Sequence, residues 1–215
     1  MTDDDHASEA SETPGGVVGD GTGTAGAANT AGAADDGANG PSDETEETPA
    51  TETFPGGYAR ATVSALPDAP NPTRGKREVD EAVGASQFGC NLFVADPGEQ
   101  LPWGYHHHPD HEELFYVLAG ELRVETDNGD RRVTAGQVFF VPAGAGNRAR
   151  AVGDRRARVL AVGAPKASDG AVISEPCPAC GAETDRTADR DGDAYVLSCA
   201  DCGTETDRFG AGPEA

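Results

Sequence analysis

The chain has 215 residues, enough for one or two domains, and a formal charge of −22 from 16 basic and 38 acidic side chains. Residues 1–53 hold 13 acids and no base, residues 54–166 hold 14 acids against 13 bases, and residues 167–215 hold 11 against 3. Ends this acidic around a near-neutral middle repel polyanions, which argues against a nucleic-acid partner, and no apolar run approaches the ~20 residues that cross a bilayer.

Residues 1–53 contain no aromatic residue and one apolar pair, Val17-Val18. Such a segment cannot bury enough apolar surface to offset its chain entropy, so a disordered acidic tail is expected there, with ordered structure beginning at Phe54. Only two lysines occur, Lys76 and Lys166. That scarcity, with abundant Asp, Glu, Ala, Gly and Thr, resembles the proteins of salt-loving microbes, where acidic surfaces maintain solubility in brine. The start, Met-Thr-Asp-Asp-Asp-His, has neither the basic region nor the apolar run of a signal peptide. A soluble cytoplasmic protein with reduced thiols is expected, in which the five cysteines serve as metal ligands rather than disulfides.

From Tyr58 onward the pattern is short β-like runs broken by turn residues about every 8–12 positions. The runs are 58–66, 87–95, 101–108, 113–118, 121–126, 131–134, 137–141, 148–152 and 157–162. Turn-forming residues separate them over 67–75, at Asp96-Pro97-Gly98, at Asp127-Asn128-Gly129-Asp130, at Pro142-Ala143-Gly144 and at Gly153-Asp154. Val79–Val83 has room for one helical turn. Regular short strands of this kind predict an all-β sandwich or barrel over 54–166. Residues 164–174 read as a linker to a separate C-terminal unit.

Four of the five histidines fall within positions 106–111. Side chains at i and i+2 of a strand share a face, so His106 and His108 point one way and His107 the other. The Pro109-Asp110 turn lets the chain fold back and set Glu113 beside the pair. Two imidazoles and one carboxylate on one concave face are the donor set of a first-row transition metal. His107, His111 and Glu112 are left as spectators, with His107 or His111 available as a substitute ligand.

The spacing His106-x-His108-x4-Glu113-x6-Gly120 resembles the first motif of the cupin superfamily. The motif's leading Gly falls on Gln100, with Gly98 close by. The second cupin motif is matched by Gly136, Pro142 and Gly144, but its histidine is replaced by Asn147 and its terminal Asn by Ala151. The resemblance covers roughly residues 58–164. It implies a double-stranded β-helix (jelly-roll barrel) with a divalent Fe, Mn, Ni or Zn ion inside. An amide oxygen is a weaker donor than imidazole nitrogen, so three readings stay open: His106, His108 and Glu113 hold a metal with Asn147 or water completing its shell; His107 or His111 takes the fourth position; or the histidines line a polar pocket without metal. Asn147, Ala149 and Ala151 share one face of their strand, leaving room for a ligand, and Arg148 and Arg150 share the other, solvated or paired with acids. Trp103, Tyr105, Phe115 and Phe139 read as core or barrel mouth, and Cys90 as a small buried residue.

Cys177-Pro178-Ala179-Cys180-Gly181 and Cys199-Ala200-Asp201-Cys202-Gly203 are two C-x2-C-G knuckles with 18 residues between the inner cysteines. Two such turns bring four thiolates to one structural zinc. They resemble the zinc-ribbon family over 175–208, with Ala194–Ser198 as a strand; a unit over 167–215 with so little core would draw much of its folding energy from the metal. The −8 charge favours a protein partner or a stabilising role for this ribbon over nucleic acid.

Three functions follow: a metal-binding module that takes a small polar ligand; a mononuclear metalloenzyme of dioxygenase or sugar-isomerase type; and an assembly factor whose barrel forms a homodimer and whose ribbon docks a protein.

Overall fold

The computed structural model describes residues 50–211. The acidic tail expected over 1–53 therefore lies outside the described residues up to position 49. Its last part is not tail: Thr51–Phe54 forms β1, which pairs antiparallel with β2 (Tyr58–Ala61). Two β-branched threonines and a Pro-Gly-Gly turn suffice for a hairpin where composition alone indicated disorder.

The barrel strands are β3 (Gly75–Glu78), β4 (Gly89–Ala95), β5 (Gln100–His107), β6 (Glu112–Ala119), β7 (Glu121–Thr126), β8 (Arg131–Thr134), β9 (Val138–Val141), β10 (Asn147–Ala151) and β11 (Ala157–Ala164). One sheet runs β3-β4-β11-β6-β9, and the other contains β5-β10-β7-β8, all antiparallel. Alternation along the strands governs burial. Leu122 and Val124 are buried while Arg123 between them is exposed, and Ala157, Val159 and Ala161 alternate in the same way. The inward faces of both sheets meet in one core that includes Phe93, Leu101, Phe115, Val117, Val133 and Val141; each buried side chain of that size contributes about 1.5–3 kcal/mol.

Three expectations change. The run 58–66 is cut short at Ala61 and continues as a 3₁₀ turn, Val63–Ala65. The turn-rich 67–75 stretch leads into β3, which pairs with β4 and carries only the polar side chains of Lys76, Arg77 and Glu78, so no apolar alternation announced it. The one-turn helix expected at Val79–Val83 is present as α1. The third change concerns the linker. Residues 166–168 form a 3₁₀ turn, and β12 (Val172–Pro176) pairs Ile173 with His106 and Val172 with His107. With β13 (Glu183–Asp191), β14 (Ala194–Cys199) and β15 (Glu205–Phe209), β12 extends the larger sheet to eight strands.

The C-terminal segment is thus continuous with the barrel sheet. Trp103 on β5 packs against Tyr195 and Phe209, with ring centroids 4.7 and 6.3 Å away. Glu175 accepts from Tyr105 N and from Arg148 Nη1, both at 3.0 Å. On the far side, Lys166 Nζ donates to Asp80 Oδ2 (2.6 Å) and Glu81 Oε1 (2.8 Å), tying the exit of β11 to α1.

Candidate functional site

β5 delivers His106 and His108 to the barrel interior, and β6 delivers Glu113. Both histidines are buried. His106 Nε2 lies 3.7 Å from one carboxylate oxygen of Glu113, and His108 Nε2 lies 3.7 Å from the other. The two rings are edge to face with centroids 5.1 Å apart. His106 Nδ1 donates to Gly104 O at 3.0 Å, which fixes the tautomer and leaves Nε2 bare toward Glu113. His106 Nε2 and Glu113 Oε2 are buried without a hydrogen-bond partner.

Asn147, the first residue of β10, sits opposite His106 in the β5–β10 register. It is completely buried, and both amide atoms lack a partner. Buried polar atoms are nearly always satisfied in folded proteins, so a concentration of orphaned atoms here marks a polar group missing from protein atoms alone. Burial disfavours the charged form of His108 and holds its pKa below the ordinary value despite the pull of Glu113. Burial alone would raise Glu113, but its contact with His106 and the nearby His108 and His111 outweigh that and hold it low. Two imidazoles and one carboxylate within reach of one another are donors that fit a divalent ion.

The two remaining histidines separate. His107 pairs with Val172 in register and Glu112 is exposed. His111 differs from both. It is buried, its Nδ1 donates to Pro165 O at 2.9 Å, and its Nε2 faces Asp169 Oδ1 at 3.6 Å. His108 Nδ1 faces the same Asp169 oxygen at 3.6 Å. The ring of His111 lies where any Cβ on Gly163 would stand, so this seat requires the glycine in β11. Spacing did not reveal His111 because its partner Asp169 lies in what read as a linker; a glycine inside an otherwise apolar strand was the available signal.

A cavity of about 160 Å³ opens onto this centre. His108, His111, Glu113 and Asp169 form its polar end, and Phe93 and Trp103 contribute to its apolar wall. A larger pocket of about 510 Å³ lies between the β1–β2 hairpin region and Tyr195, but it gathers no cluster of metal donors among the described residues. Arg148 is paired with Glu125 and Glu175, and Arg150 bonds Gly98 O and Gln100, so neither enters the barrel. Cys90 is buried, and burial pushes its thiol up.

The Sγ atoms of Cys177, Cys180, Cys199 and Cys202 lie within 4.8 Å of one another. The two knuckles repeat one geometry: Gly181 N donates to Cys177 O at 2.8 Å, and Gly203 N to Cys199 O at 2.9 Å. Gly181 and Gly203 adopt φ of 73° and 70°, a region that favours glycine. Hydrogen bonding to Thr184 pulls the Cys199 thiol down to about 6, toward the thiolate that a metal takes.

The Cupin domain family model matches residues 91–163. The chain is 34% identical over 108 residues to Protein SchB of Streptomyces halstedii, covering 49% of this chain and 72% of that protein. The chain belongs to the cupin family. This cupin is also 38% identical over 96 residues to Polyketide synthase CurC of Streptomyces cyaneus, covering 43% of this chain and 61% of that protein, so it spans less than two thirds of that relative's length. Among solved structures, a sugar phosphate isomerase of the cupin superfamily from Silicibacter pomeroyi aligns with a TM-score of 0.45 at 23% identity, covering 73% of this chain and 97% of that one. No helix among the described residues is long and apolar enough to cross a membrane.

Proposed function

We propose that this cupin holds a divalent transition metal in its barrel through His106, His108 and Glu113, with the amide oxygen of Asn147 as a weaker fourth donor, and binds a small polar ligand beside it. The single observation that carries this reading is the buried His106–His108–Glu113 group, in which His106 Nε2 and Glu113 Oε2 lie 3.7 Å apart and neither has a hydrogen-bond partner. Such an ion would act as a Lewis acid toward a ligand oxygen. The chain's own part is to hold His106 in one tautomer through Gly104 O, to keep Glu113 ionised, and to exclude water with Phe93, Leu101 and Phe115. The same proposal assigns a structural zinc to Cys177, Cys180, Cys199 and Cys202.

The name of one relative brings a ligand class into view. A cavity of about 160 Å³ with aromatic walls and a polar end suits a small oxygen-bearing aromatic compound of the kind a polyketide pathway makes. The metalloenzyme reading is favoured by one observation, the His111–Asp169 pair, which adds groups able to move a proton at the same cavity.

Trp103 lines the cavity and is the only tryptophan, so its fluorescence reports occupancy. Titrating the full chain with resorcinol should quench Trp103 saturably, and chelation or Glu113→Gln should abolish the effect. Elemental analysis of His106→Ala should show one barrel ion lost. Unchanged metal content in that variant would refute the metal site; quenching that survives chelation would refute the metal-dependent ligand.

A further inference from the structure

We propose that His108 Nδ1, His111 Nε2 and Asp169 Oδ1 form a second divalent-cation site at the mouth of the barrel, sharing His108 with the first. The three donor atoms lie within 4.8 Å of one another, and both imidazole nitrogens are 3.6 Å from the same carboxylate oxygen. The His111 tautomer is set: Nδ1 carries its proton to Pro165 O, so Nε2 presents a lone pair. His108 is buried, and its Nδ1 lacks a hydrogen-bond partner. His111 Nε2 facing the carboxylate oxygen of Asp169 puts two acceptors together without a donor between them, and a cation resolves that arrangement. The set also has second-order support, as ligating histidines have: the carbonyl of Pro165 orients His111, and Gly163 vacates the space the ring fills.

Two nitrogens and one oxygen favour a borderline ion such as Zn²⁺ or Cu²⁺ over Mg²⁺ or Ca²⁺. Asp169 is largely exposed, at 56% of its side chain, so the ion would meet solvent and keep positions for water or ligand. Lys76 lines the same cavity, but its Nζ is engaged by Glu78 Oε1 at 2.9 Å. Were both ions held, His108 would bind one through each ring nitrogen, and the proton otherwise carried by Nδ1 would pass to solvent.

The test is zinc stoichiometry of the full chain, chelated, reloaded and washed in excess magnesium to clear weakly held ions from exposed acids. Three equivalents are expected: ribbon, inner site and mouth. Asp169→Asn and His111→Gln should each hold two, Glu113→Gln two, and His108→Ala one. Asp169 is exposed enough that its variant tests the site even if His111→Gln fails to fold. Two equivalents in the wild type, unchanged by Asp169→Asn, would overturn the proposal and leave Asp169 as a hydrogen-bond acceptor that orients His108. Three equivalents retained by Asp169→Asn would overturn it as well. Loss on Asp169→Asn without loss on Glu113→Gln would sustain the mouth site while refuting the inner one.

Discussion

Asn147→Val should stabilise the metal-free protein and weaken its response to metal. The side chain is wholly buried with two unpartnered polar atoms. Each such atom costs about 1–3 kcal/mol relative to a satisfied one, so removing both should return at least about 2 kcal/mol. Valine suits a strand and fills comparable space, and imperfect fit should take back about 1 kcal/mol. The net expectation is a gain of about 1–2 kcal/mol, or roughly 3–6 °C in melting temperature for a unit of this size. Urea unfolding in chelator measures it, since the cysteine cluster is metal-free in both proteins and the difference belongs to position 147. Added zinc should then raise the wild type more than the variant, because the amide oxygen contributes to binding only in the former. A variant less stable than wild type in chelator by more than about 1 kcal/mol would show that Asn147 is paired in the folded state, and the argument from orphaned atoms would fall.

Other outcomes follow from the same structure. Asp80 is buried against Lys166; burial alone would raise its carboxyl, but Lys166 and a hydrogen bond from the Cys90 backbone hold it below the ordinary value. A depressed carboxyl contributes stability that is complete above its unfolded pKa of about 3.9 and is lost as pH falls through the lower folded value. Asp80→Asn should therefore cost about 1–3 kcal/mol at neutral pH and flatten the acid limb of a stability–pH profile. Gly163→Ala should drive its new methyl into the His111 ring, lowering stability by about 1–3 kcal/mol and removing one equivalent of zinc. Cys177→Ser should abolish zinc at the four-cysteine cluster and, by loosening Tyr195 and Phe209 from Trp103, red-shift the tryptophan emission; an unshifted spectrum would mean that the aromatic contact survives without the metal.

The barrel was legible because its strands are one-sided. Leu122 and Val124 alternate with the exposed Arg123 and the half-buried Glu125, and the turns between strands carry the residues that turns require, as at Asn128-Gly129, where Gly129 adopts φ of 87°. The His106–His108–Glu113 grouping was legible for the same reason, since a period of two places i and i+2 together. What escaped had no period to display. β13, Glu-Thr-Asp-Arg-Thr-Ala-Asp-Arg-Asp, is exposed along most of its length, with only Thr184 buried, and is held by backbone pairing to β12 and β14. β3 is paired rather than buried by its side chains. Asp169 was invisible because its contact spans 58 residues to His111 and depends on where the chain crosses the barrel mouth.

That crossing ties the candidate site to the C-terminal strands. β5 pairs along one edge with β10, which brings Asn147 opposite His106, and along the other with β12, which sets Ile173 opposite His106. The chain must therefore pass from the end of β11 to the start of β12 over the opening between His108 and His111. It is pinned at one end where Lys166 meets Asp80 and at the other where Val172 meets His107. Asp169 lies between those pins. Its carboxylate reaches the two histidines because β12 pairs with β5, so the strand that leads into the four-cysteine cluster also sets the position of an acid at the barrel's mouth.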